Sequence, residues 1–457
     1  MLSTDKEFLT PDEIAAWRPQ VPPAPHTFSD HLRKAVDHHG LDTPAQVAGF
    51  HFPIGCVALE ITQRCNLDCS ACYLSDLSEA VLDLPLVEIL RRVDQIAAYY
   101  GPYTNVQITG GDPTLRKTED LVPIVRRIAR HKMRSALFTN GIKATRSLLA
   151  TLSDAGLNDV AFHVDMTQGR RGYGTEADLN AIRDDYINRA KGLGLQILFN
   201  TTVFDGNVDE VPMLARFFRD RAAYVHLASF QMIADTGRGV KRDRAHTITQ
   251  HAMIRRISDG AGVDLAFDYP QVGHSECNRY AMVLTAGDET AAAFDPKHQS
   301  FIENMLVAGR TAFFDRHRPR RSLQSLASML FRNPGLVVGA STFVVSKVWA
   351  LRRGLVKSKG RANRLTFYIH NFMHADQLQK DRCESCVFMT MTRDGPVSMC
   401  VHNAKRDAFI LQKVKDDAGQ SWSPLGHKSV GRDTLDPKAL PLKRLKGRHR
   451  ATKLERT

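Results

Sequence analysis

From Cys56 to Phe230 the chain alternates strand-like and helix-like runs, and this alternation restricts its fold more than any other feature. "CVALEIT" (56–62), "NVQIT" (105–109), "SALFT" (135–139), "DVAFHVD" (159–165), "LQILFNTTVF" (195–204) and "YVHLASF" (224–230) are short and rich in apolar and β-branched residues. Between them lie amphipathic runs such as "LPLVEILRRVDQIAAYY" (84–100), whose apolar residues recur at i, i+3 and i+4. Strands separated by helices of this length favour parallel pairing through right-handed crossovers. The expected fold is α/β: a partial (β/α)6 TIM-type barrel, with ligand-binding groups at the C-terminal ends of its strands.

The rest of the chain divides around that barrel. Residues 1–52 read as a Pro-rich irregular segment, 53–268 as the barrel and 269–362 as a helical, basic insert. Residues 363–412 form a cysteine-rich segment and 413–457 a basic tail. Much of the net charge of +13 is local: residues 308–361 hold twelve Lys or Arg against one acid, Asp315. Such a block suits a polyanion, either nucleic acid or an anionic membrane face. It includes the apolar run "PGLVVGASTFVV" (334–345), which is too short to span a bilayer, a task needing about 20 residues. The run fits either a buried helix or an interfacial segment whose basic flanks rest on anionic headgroups. No apolar leader opens the sequence, so the expected location is cytoplasmic, with peripheral membrane contact if the second reading holds.

Seven of the eight cysteines fall into two groups. Cys65, Cys69 and Cys72 occupy the loop after the first strand. Three thiols are one short of a closed zinc site, and Cys56, which opens a core-facing strand, is the alternative fourth. An iron–sulfur cluster held by three cysteines leaves one iron open, as a catalytic cluster requires. The second group is Cys383, Cys386 and Cys400, with Cys277 far upstream. Four thiolates suit either an auxiliary [4Fe–4S] cluster or zinc, and His370, His374 or His402 could replace Cys277.

The Cys65-x3-Cys69-x2-Cys72 spacing at this place in a β/α barrel resembles the signature of the radical S-adenosylmethionine (SAM) superfamily. The resemblance extends to "GGDP" at Gly110, Gly111, Asp112 and Pro113, after the second strand. It implies a catalytic [4Fe–4S] cluster on Cys65, Cys69 and Cys72 whose open iron binds SAM, with these three as the catalytic residues. Cleavage of the sulfonium would then give a 5′-deoxyadenosyl radical. Gly110 to Pro113 would flank SAM, as would Asn140 and Asp165 at the ends of the third and fourth strands. The residue before the third cysteine is often aromatic in that family. Here it is Ala71, so adenine packing would come from elsewhere.

More narrowly, "FHVDMTQ", "SFQMIADTGRG" (229–239) and the tail from "IHNFMH" to "DGPVSMC" resemble tetraether synthase-like and class D methyltransferase-like radical SAM proteins. That likeness implies C–C bond formation or methylation at an unactivated carbon of an apolar, lipid-linked substrate. It also implies an electron donor such as flavodoxin or ferredoxin. Other functions fit the same residues: a peptide-modifying maturase, an RNA-modifying enzyme, or a non-catalytic iron–sulfur or zinc scaffold. Nucleic acid is the less favoured partner.

Overall fold

A computed structural model describes residues 6–19, 28–238, 248–311 and 319–425. The basic block that closes the sequence lies outside the described residues. Helices α1 (Pro11–Ala16) and α2 (Phe28–His38) precede six βα units. These are β1 (Cys56–Thr62) with α3 (Leu86–Tyr100), β2 (Asn105–Gly110) with α4 (Thr118–Arg130), and β3 (Arg134–Thr139) with α5 (Arg146–Asp154). Then come β4 (Asp159–His163) with α6 (Asn180–Ala190), β5 (Gln196–Val203) with α7 (Val211–Arg219), and β6 (Val225–Met232) with α8 (Gln250–Ala261). Strands β7 (Asn278–Ala286) and β8 (Glu289–Ala292) lead to helices α9 (Gln299–Ala308), α10 (Pro319–Arg332), α11 (Leu336–Ala350) and α12 (Arg352–Lys357). The last elements are β9 (Asn363–Asn371), α13 (Lys380–Glu384), β10 (Phe388–Met391), β11 (Pro396–Ser398), α14 (Met399–Ala404) and α15 (Asp407–Ile410).

One sheet runs in the order β11-β10-β1-β2-β3-β4-β5-β6-β9-β7-β8. The six expected strands are parallel neighbours, so the partial barrel stands as read. Two further parallel strands come from the C-terminal segment, β10 beside β1 and β9 beside β6. Among the described residues no strand pairing joins β9 to β10. Aromatic rings span that seam instead: Phe388 lies 4.9 Å from His370 and 6.4 Å from Tyr368, centroid to centroid.

The two-residue period of a strand assigns its faces. Val57, Leu59 and Ile61 join Ile89, Val93 and Ile96 of α3 and Leu121, Ile124 and Ile128 of α4 in the main core. Cys56, Ala58, Glu60 and Thr62 take the opposite face. Glu60 is buried there and accepts two bonds from Arg406, at 2.7 and 2.8 Å. Burial pushes its carboxyl up, but the Arg406 and His402 charges outweigh this and hold it at about 2. This pair pins the C-terminal segment to the barrel.

A second buried pair fixes the loop after β4. Arg183 and Glu176 are ion-paired with side chains 0% exposed. Arg183 also donates to the carbonyl oxygens of Val164 and Glu176, while Glu176 accepts from Met166 N and Asn207 Nδ2. Arg183→Met leaves a buried carboxylate without its cation and is expected to destabilise the chain by about 3–5 kcal/mol in urea unfolding. A loss below about 1 kcal/mol would mean that the pair does not hold this loop.

Candidate functional site

The loop carrying Cys65, Cys69 and Cys72 is held by the C-terminal ends of four other strands. Gly111 N donates to Thr62 O and Asp112 N to Arg64 O, at 2.8 and 2.7 Å. Asn140, just past β3, donates through Nδ2 to Asn66 Oδ1 at 2.7 Å and lies 3.9 Å from Cys65 Sγ. Ser70 N donates to Thr167 O after β4, and Arg238 N, beyond β6, donates to Leu74 O. The three thiols are close enough to act on one another electrically. Burial raises the Cys65 and Cys69 thiols first, and the charge of Cys72 raises both further.

The glycine pair has a measurable reason. A Cβ on Gly110 would lie 2.0 Å from Thr62 O, and one on Gly111 would lie 2.0 Å from Arg64 O. Gly110 also holds φ at +127°, which side-chain-bearing residues rarely adopt. The pair therefore admits the cysteine-bearing chain itself. The Gly110 carbonyl accepts from Tyr73 Oη at 2.5 Å, so the aromatic residue after Cys72 caps this edge.

Asp112 and Asp165 are both fully buried and brace neighbouring strand ends. Asp112 accepts from Thr114 N and Oγ1, Thr139 Oγ1 and Asn140 N, tying the turn after β2 to the end of β3. Burial raises its carboxyl against those bonds. Pro113 starts the short turn that Asp112 caps. Asp165 accepts from Thr167 N and Oγ1 and from Thr202 N, and pairs with His163 Nε2 at 2.6 Å. Burial raises its carboxyl, but the His163 charge and these bonds outweigh burial and lower it to about 2.

The second cysteine group gathers at the seam between β9 and β10. Cys277 precedes β7, Cys383 lies in α13, Cys386 precedes β10 and Cys400 lies in α14. The charges of Cys400, Cys386 and Cys277 raise Cys383, those of Cys386 and Cys277 raise Cys400, and that of Cys386 raises Cys277, each on top of burial. The histidines that could replace Cys277 are engaged elsewhere. His374 pairs with Asp235, His402 stacks on Phe409, and His370 stacks on Phe372 with its centroid 4.0 Å away. Among the described residues no three Cys, His, Asp or Glu side chains converge tightly enough to hold a single metal ion.

Two arginines that the sequence reading left unassigned complete the electrostatics. Arg238, 4% exposed, donates to Glu79, but its Nε and Nη2 are buried with no partner among the described residues. Its charge lowers Cys65 and Cys69. Arg382, also 4% exposed, donates through Nε to Cys277 Sγ at 3.1 Å and through Nη2 to Asn371 O. Among the described residues it has no carboxylate partner within ion-pair distance. A buried guanidinium needs a compensating anion. Thiolates carrying an iron–sulfur cluster supply one for Arg382 and would engage the Nε and Nη2 of Arg238 that Glu79 leaves unbonded, so the residues present fit such a group at both places. His163, on the inner face at the end of β4, is the third unassigned residue. The sequence signals were an arginine directly before Cys383, and the Arg within "SFQMIADTGRG".

Comparison with known proteins finds relatives of the barrel segment. Residues 59–218 match the model of the Radical SAM superfamily. Relatives include a PqqA peptide cyclase of Methylobacterium nodulans, 34% identical over 35% of this chain and 42% of the relative. Others are a probable GTP 3′,8-cyclase of Pyrococcus horikoshii (30%, covering 40% and 58%) and a 7,8-dihydro-6-hydroxymethylpterin dimethyltransferase of Methanocaldococcus jannaschii (28%, covering 39% and 36%). The matched segment spans about two fifths of the length of the peptide cyclases. Among solved structures, Streptococcus suis SuiB bound to precursor peptide SuiA aligns with TM-score 0.36 and 15% identity, over 50% of this chain and 48% of that one. The structure of anSMEcpe with bound AdoMet aligns with TM-score 0.36 and 17% identity, over 45% and 60%. Residues 59–218 thus resemble a radical SAM domain, and enzymes of that superfamily use a [4Fe–4S] cluster with SAM.

The braced carboxylate makes the fold acid-sensitive in a defined direction. Asp165 has its folded pKa lowered to about 2 from an unfolded value of about 3.9, so its stabilisation is present above pH 4 and lost as pH falls through 2. Asp165→Asn is expected to cost about 2 kcal/mol at pH 7 and almost nothing near pH 2, measured by urea unfolding across pH. A cost independent of pH would show that the carboxylate charge is not what braces the loop.

Proposed function

We propose that the radical SAM domain uses Cys65, Cys69 and Cys72 to hold its catalytic [4Fe–4S] cluster, with SAM completing the fourth iron. The observation that carries this is the convergence of the β2, β3, β4 and β6 ends on that loop, beside the under-bonded Arg238. When bound, the cluster and SAM supply a 5′-deoxyadenosyl radical able to take hydrogen from an unactivated carbon. The chain's own groups position and shield. Gly110 and Gly111 let the loop seat against β2, Asp112 and Pro113 fix the turn beside it, and Asn140 orients Cys65 and Asn66. Arg238 offsets thiolate charge away from water. His163 keeps a proton at Nε2, because its partner Asp165 Oδ2 can only accept.

Cys277, Cys383, Cys386 and Cys400 hold an auxiliary [4Fe–4S] cluster in this reading, with Arg382 donating to the Cys277 sulfur. Four protein ligands leave no open iron, which suits electron relay after hydrogen abstraction. A flavodoxin or ferredoxin would supply the first electron. The substrate class that fits is apolar and lipid-linked, modified by C–C bond formation or methylation by a cytoplasmic enzyme in peripheral contact with an anionic membrane. The exposed apolar surface of α10–α12 supports that choice. A second reading, peptide modification, is favoured by relatives that are PqqA peptide cyclases.

Deuterium tracing separates the two. Anaerobically reconstituted protein, reductant and SAM are incubated with perdeuterated lipid extract or with deuterated peptides. The lipid reading expects deuterium in 5′-deoxyadenosine from lipid alone, and background cleavage after Cys65→Ala, Cys69→Ala and Cys72→Ala together. Transfer from peptide alone would move the enzyme to the second reading. Full cleavage by the triple variant would overturn the assignment of the catalytic cysteines.

A further inference from the structure

Solvent-facing apolar side chains concentrate on one part of this molecule. Of nineteen exposed large apolar residues among those described, nine lie between Leu323 and Val356, on α10, α11 and α12. One face of α11 is anchored. Gly339 packs against the Phe301 ring, Phe343 stacks beside Phe301 and His298, and Lys347 is buried, donating to Ala292 O and Asp295. The opposite face presents Val337, Val338, Val344, Val345, Val348 and Trp349, each 47–73% exposed. Their spacing of one, three, four and seven residues places them on a single stripe. A stripe fixed in this way by its back cannot turn inward to escape water.

Charge decides what covers it. From Pro319 to Arg361 there is no Asp or Glu, while eight Lys or Arg in that span are exposed. They include Arg332 before α11 and Arg352 and Arg353 after it. Arg352 lies over the Trp349 ring at 4.3 Å, a tryptophan–cation pair suited to the boundary between acyl chains and headgroups. Apolar side chains flanked by Arg332, Arg352 and Arg353, which have no carboxylate partner among the described residues, match a surface that is anionic above and hydrocarbon below. With fifteen residues α11 is about 22 Å long, short of the ~30 Å hydrocarbon core. No helix among the described residues is long and apolar enough to cross a membrane. In-plane seating is the geometry left to it.

We infer that the Val337–Trp349 face of α11, with the basic residues at its ends, docks this protein onto an anionic lipid leaflet. The inference deepens the lipid-substrate reading, yet it stands on residues that neither thiol group uses. Failure here therefore leaves the cluster assignments untouched, and failure of those leaves this surface intact.

The test uses the full chain with its clusters in place, and vesicles of phosphatidylcholine with or without 30% phosphatidylglycerol. Flotation is expected with the anionic vesicles and absent with the neutral ones. Binding should fall at least about tenfold for V338D/V345D and for R352Q/R353Q, and fall again as salt screens the surface. Iron content and SAM cleavage by both variants should match the parent, which excludes misfolding. Brominated acyl chains should quench parent fluorescence, and W349F should lose that quenching. Equal binding to neutral vesicles, undiminished binding by both variants, or unchanged quenching in W349F would each overturn the inference. So would a dimer that V338D/V345D dissolves while the parent ignores vesicles, because a second copy would then cover the face.

Discussion

The cysteine-bearing loop can lie where it does because Gly110 and Gly111 have no side chains. Carbonyl oxygens of Thr62 and Arg64 occupy the space where their Cβ atoms would stand, only 2.0 Å from each ideal position. That contact sets the loop's height above the sheet. From there Asn140 reaches Asn66 and Cys65, Thr167 receives Ser70 N, and Tyr73 closes over Gly110. Asp112 and Asp165 tie adjacent strand ends together behind it. They serve the site by holding strand ends in place, with their carboxylate oxygens engaged by the chain itself.

Electrostatics gives the two cysteine groups a shared design. Each combines thiols that burial would keep neutral with a guanidinium drawn into the same dry volume. Arg238 stands beside Cys65 and Cys69 with Nε and Nη2 unpartnered among the described residues, and Arg382 donates directly to Cys277. Neither arrangement is comfortable if the sulfurs stay neutral. Both become favourable when the sulfurs carry the negative charge of bound iron–sulfur clusters. The C-terminal segment that brings the second group also supplies β9 and β10 and is pinned by Glu60–Arg406. Sheet extension and three of the four thiols of the second group therefore come from one segment.

Local patterns made much of this visible in the sequence. The six βα units were legible because each strand is short and each helix carries an amphipathic period. Strands β9 and β10 were hidden, because no regular βα spacing leads to them and β10 has four residues among cysteines. The first cysteine group and its glycine pair were legible from spacing, but what the glycines admit was not, since Thr62 and Arg64 arrive only in the folded chain. Arg382 and Cys277 lie 105 residues apart, so their contact had no sequence signal beyond the arginine next to Cys383. The apolar run at 334–345 was legible as a helix. Whether its face is covered depends on the packing of α9 and β8 behind it, which no local pattern encodes.

The central claim is that the chain builds two chemically distinct clusters, one with an open iron for SAM and one closed by protein. Electron paramagnetic resonance of the reduced, reconstituted protein, with and without SAM, addresses it most directly. Two [4Fe–4S] signals are expected, of which one shifts on adding SAM and vanishes when Cys65, Cys69 and Cys72 are all changed to Ala. The other should ignore SAM and vanish when Cys383 and Cys386 are changed. A SAM-sensitive signal that survives loss of Cys65, Cys69 and Cys72, or two signals that both respond to SAM, would contradict the account.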